Sequence, residues 1–154
     1  MAVRRDLMKI PVVTLVVLAA SLPSNILKGD EVSPDPRLGE YGFPLVCGLR
    51  HVCGGHITGE PTGRPPRSIE ITWDAFATDG SVGDVVAYYQ SKLGNAGMEG
   101  DAHGATWRFP LGATYPERVL EVSASTKEGP WRHCDSAVLA KARCIVIVSR
   151  ATHP

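Results

Sequence analysis

Apolar residues recur along this chain with two different periods. In "SIEITWDAFAT", Ile69, Ile71 and Trp73 alternate with Glu70, Thr72 and Asp74. Successive side chains leave a strand on opposite sides, so this period of two predicts a strand with one covered face. In "DGSVGDVVAYYQSKLG" the spacing changes, and Val82, Val85, Val86, Tyr89 and Leu93 fall on one side of a helix. Ser81 stands at its N-cap with Asp84 three residues on, an acidic form of the capping box, and Gly94 stands where a left-handed residue ends a helix. "GATWRFPLG", "ERVLEVSAS" and "RCIVIVSR" predict three further strands separated by Gly and Pro turn signals. The unbroken run Ile145 to Val148 places the last of them at the centre of the sheet.

A strand, a helix and three strands predict an α+β fold. Its sheet is small and antiparallel, about four strands, with one main helix packed on one face. In that arrangement Val85, Val86, Tyr89 and Leu93 cover Ile69, Ile71 and Trp73. Ahead of it, "SPDPRLGEYGFP" and "GEPTGRPPR" hold too much proline and glycine for helix or long strand. Residues 22–66 therefore read as a loop-rich arm carrying Cys47 and Cys53, and residues 67–154 as the α+β domain.

Residues 1–21 read as an export signal. Arg4, Arg5 and Lys9 precede the apolar run Ile10 to Leu22, whose end holds small residues at Ala19, Ala20 and Ser21, near the expected cut. As a helix the apolar run is about 20 Å long, short of the roughly 30 Å of a bilayer core, so no stable membrane span remains once the signal is removed. Within it, "RRDLMK" resembles the twin-arginine export pattern at Arg4, Arg5, Leu7, Met8 and Lys9. The resemblance implies cargo that crosses a membrane already folded. Leu7 stands where that pattern prefers phenylalanine, and Val3 where it prefers a hydroxyl residue.

Export changes the meaning of the cysteines. Cys47, Cys53, Cys134 and Cys144 make an even number in a secreted or periplasmic chain, which predicts disulfides. Near partners close loops at the least entropic cost, favouring Cys47 with Cys53 and Cys134 with Cys144. The alternative joins the arm to the C-terminal segment, a longer loop worth about 3 to 5 kcal/mol. A rival reading gathers Cys47, His51, Cys53 and His56 around zinc, whose tetrahedral site takes thiolate and imidazole. Their crowding into "CGLRHVCGGH" departs from the usual spacing of zinc ligands, so no cofactor is the first expectation and zinc the alternative. Neither Cys-x-x-Cys nor Cys-x-x-Cys-His occurs.

Composition narrows the function classes. Among 154 residues there are 16 basic and 16 acidic side chains, giving zero formal charge and no basic stripe for nucleic acid. The sequence contains no GxGxxG, GxxxxGK or GxSxG motif. "SVGDVVAYYQSKLG" followed by "GATWRFPLG" resembles the repeating unit of the glyoxalase and bleomycin-resistance superfamily. That family's metal ligands project from strands, but the strand Ile69 to Ala77 holds no histidine, so no ligand position carries over. The remaining contact candidates are His51, His56 and Trp131, the last in a loop between Pro130 and Arg132. The expected function is an exported binding or interaction module for a small molecule or a protein, with no catalytic residue assigned. The alternative is a small metal-dependent or hydrolytic enzyme using His51 and His56, with Asp101 or His103.

Overall fold

The computed structural model describes residues 33–44, 46–59, 69–110, 117–126, 128–134 and 136–152. The expected export signal lies outside them. Its strands are β1 (Arg50–Gly59), β2 (Ile69–Thr78), β3 (Met98–Asp101), β4 (Gly104–Pro110), β5 (Glu117–Ala124) and β6 (Cys144–Thr152). The helices are α1 (Arg37–Glu40), α2 (Val82–Leu93) and α3 (Ser136–Leu139), with a 3₁₀ turn at Pro130–His133.

The expectation of a four-stranded sheet with one main helix on its face is overturned. The sheet has six antiparallel strands in the order β1-β2-β6-β5-β4-β3, accompanied by short helices. The two additional strands are the two edges. β1 arises inside the supposed loop-rich arm, and β3 inside the glycine-rich "GMEGDAHGA". An edge strand needs neighbours on one side alone, so neither carries the apolar run that marks a buried strand. In β1 a register shift between His51 and Cys53 also breaks the period of two. β6 lies between β2 and β5, with Ile145, Val146 and Val148 fully buried.

α2 begins and ends where its caps stand. Ser81 Oγ accepts the Asp84 amide at 3.1 Å, and the Gly94 amide, at φ +72°, donates to the Gln90 carbonyl at 2.9 Å. The helix does not cover Ile69, Ile71 and Trp73. Val85, Val86 and Tyr89 pack instead with Phe76, Trp107, Leu120, Val122 and Val146. Alternation on β2 reveals two faces without saying which one meets the helix: Phe76 points to α2, whereas Trp73 and Ala75 join a second cluster on the other side.

The arm completes the α2 face. Leu38, Tyr41, Phe43, Val46 and Leu49 are buried in the same cluster as α2. Two arginines fasten it. Arg118 of β5 and Arg150 of β6 stand opposite each other in register, a repulsive placement for like charges. Their guanidiniums are turned onto carbonyls at the end of α1, which have no helical partner: Arg118 donates to those of Tyr41 and Gly42 at 2.9 and 3.0 Å, and Arg150 to that of Glu40.

Candidate functional site

Among the described residues the opposite face of the sheet is only half covered. Over one end lie residues 128–134 and 136–142, where Trp131, Cys134, Val138, Leu139 and Ala142 pack on Val52, Ala75, Ala77 and Ile145. A disulfide between Cys53 and Cys134, with Cα atoms 5.8 Å apart, holds this cover to β1. The preferred local pairings therefore do not form, and the staple is of the longer kind, across 81 residues. Cys47 is exposed and Cys144 buried, both as free thiols. Burial pushes the Cys144 thiol up to about 12. A disulfide suits an oxidising, extracellular type of compartment.

Beyond the cover, the other end of this face forms a shallow groove of about 250 Å³ lined by Ile69, Ile71, Val119, Ser149, Ala151 and Thr152. Register explains the lining: Ile71 stands opposite Ala151, and Ser149 lies between Trp73 and Val119. Arg108, next to Val119 on β4, closes one rim with Glu117 at 3.0 Å. Ile57 extends the apolar floor to the sheet edge, opposite Ile71 and 55% exposed. Sequence reasoning missed this groove. Its signal is Val119, apolar on the side of β5 away from Leu120 and Val122, which the single expected helix could not also cover.

The histidines meet on the α2 face. The register shift at Val52 brings His51 and His56 to the same side, opposite Phe76 and Thr72. Those partners are four residues apart on β2, or about 13 Å of strand. His51 Nε2 lies 2.6 Å from Asp74 Oδ1, and its ring meets Phe76 edge-on at 5.5 Å. The Tyr41 hydroxyl donates to Asp74 Oδ2 at 2.7 Å. Burial first, and this bond second, hold the Tyr41 phenol above the usual tyrosine range. His56 is exposed, with Nδ1 3.3 Å from Thr72 Oγ1.

Other expected residues are dispersed. The zinc quartet loses Cys53 to the disulfide, and among the described residues no group of three or more His, Cys, Asp or Glu could hold a metal. Trp131 is not a surface contact: it is 2% exposed, turned inward from the stapled cover onto the sheet. Gly129 lets the loop turn it inward, since a Cβ there would collide with the indole. Asp101 and His103 are exposed in the β3–β4 turn, where the His103 amide donates to Asp101 Oδ1 at 2.7 Å. No described helix is long and apolar enough to cross a membrane. Comparison with protein-family models, curated proteins and solved structures gives no match.

Proposed function

We propose that this protein is an exported binding module whose ligand rests on the open half of the sheet. One observation carries the reading: among the described residues a single sheet face is sealed at one end by a stapled cover and left at the other as an apolar groove of about 250 Å³. Apolar surface of this kind, rimmed by an Arg108–Glu117 ion pair, is the usual form of a contact site. Binding of an apolar fluorescent dye to the full chain tests it. The dye brightens with the wild type, and Val119→Glu abolishes most of the signal without lowering the melting temperature substantially. Equal fluorescence in both proteins removes the support.

A hydrolytic role for His51 is the second reading, favoured by the carboxylate of Asp74 at 2.6 Å, which orients an imidazole as a general base is oriented. In this chain the same carboxylate also holds Tyr41 of the arm, an arrangement that serves equally as a structural tie. Ester and phosphoester hydrolysis by the wild type, lost in His51→Gln with the fold intact, would establish it.

A further inference from the structure

We infer that the outer edge of β1 receives an extended segment of a partner protein, which pairs as a seventh strand and carries carboxylates on one side and apolar residues on the other. This deepens the proposed binding role and rests on it. β1 ends the strand order and pairs with β2 alone. Among the described residues no other backbone hydrogen bond reaches it. Among the described residues nothing pairs with the amides and carbonyls on its outer side, and an extended polypeptide is the ligand whose donors and acceptors match such a row.

The two edges of the sheet are unlike. β3 is four residues long and carries Glu99 and Asp101, features that blunt an edge. β1 is ten residues long and has no Lys, Pro, Asp or Glu. Its first part is occupied by the register shift and by the disulfide to the cover. From Gly54 to Gly59 all residues except half-buried Gly55 are exposed. Gly54 and Gly55 carry no side chain because Asp74 and Trp73 lie over them: a Cβ would collide with Asp74 Oδ1 at the first and come within 2.8 Å of Trp73 Nε1 at the second. The same absence leaves the backbone open to a close neighbour.

The partner's chemistry follows from what lines the edge. Of the ionisable side chains of β1, His51 already has the Asp74 carboxylate of β2 at 2.6 Å; Arg50 and His56 remain, and β1 itself supplies no carboxylate to balance them. Two copies joined along this edge would set these groups against each other. A strand with carboxylates beside His56 and an apolar residue beside Ile57 satisfies both faces and continues the apolar floor toward the groove.

The test uses the full chain and a fluorescent peptide of alternating valine and glutamate, about eight residues long to match a strand. The expected result is saturable binding at least tenfold tighter than that of a valine–lysine peptide. An N-methylated valine–glutamate peptide, with the same side chains but without ladder donors, is expected not to bind. Ile57→Glu should weaken binding at least tenfold while leaving the melting temperature in place. Equal binding of the N-methylated or lysine peptide overturns strand addition or its charge preference. A concentration-dependent dimer, lost in Ile57→Glu, makes a second copy the occupant and overturns the inference. Dye bound in the groove with no peptide bound discards the strand and keeps the binding module, whereas loss of both discards the two together.

Discussion

His51 Nε2 and Asp74 Oδ1 lie 2.6 Å apart on neighbouring strands, and the second oxygen of that carboxylate takes the hydroxyl of Tyr41. Asp74 thus joins β1, β2 and the arm at one half-buried point. A bond to a charged acceptor contributes about 1.5 to 3 kcal/mol, and a buried partner left unsatisfied adds to the loss.

Asp74→Ala should therefore destabilise the protein by about 2 to 4 kcal/mol. Tyr41 also loses its partner, so the phenol should titrate closer to the ordinary tyrosine range than in the wild type. Denaturant melts and ultraviolet titration of the tyrosines measure both effects. An unchanged melt would show that the arm is held by Arg118, Arg150 and the apolar contacts alone.

The parts of this fold that could be read in the sequence are those where local pattern and tertiary role coincide. α2 shows its caps at Ser81 and Gly94, and β6 shows its central place through Ile145 to Val148. β1 and β3 are hidden because an edge strand is specified by its neighbour's ladder and not by its own apolar pattern. The side of β2 that meets α2 depends on register, which alternation alone leaves open. Among the site residues, His51 was identifiable by type. Its partner Asp74 was not, because 23 positions of chain separate two residues that the β1–β2 pairing brings together.

The thiols should separate by reactivity. Before reduction Cys47 reacts quickly with a thiol reagent, whereas Cys144 reacts only on unfolding, being buried and held as a thiol up to about 12. Cys53 and Cys134 appear only after reduction. Counting labelled cysteines by mass spectrometry, with and without denaturant and reductant, checks the order. Rapid labelling of Cys144 in the native state contradicts it.

Cys144 also makes stability depend on alkaline pH. Its folded-state value near 12 is raised from an ordinary 9.0. The protonated thiol therefore contributes in full below about pH 9, and its contribution is lost as pH rises toward 12, because the unfolded chain releases that proton first. A single such group changes stability by up to about 1.4 kcal/mol per pH unit in that window. In a Cys47→Ser background, which removes the exposed thiol, urea melts at pH 8 and 10.5 should show a smaller decline for Cys144→Ala than for Cys144 itself. Parallel declines would mean that the thiol is hydrated.

Cutting the staple should expose what it covers. Cys53→Ser with Cys134→Ser removes a cross-link spanning 81 positions, a loss of about 4 kcal/mol from the long loop it closes. Trp131 belongs to the cover and packs in one cluster with Trp73 of the sheet, so its burial depends on that anchor more than does the α2 face, whose core includes Trp107 and Tyr89. The doubly substituted protein should show red-shifted tryptophan emission and more bound apolar dye while its far-ultraviolet spectrum stays close to that of the wild type. Reduction of the native protein should reproduce both changes, and reoxidation should reverse them. If emission and dye binding are unmoved, Val138, Leu139 and Ala142 keep the segment in place without the sulfur bridge, and the open and covered halves of the face are divided by packing alone.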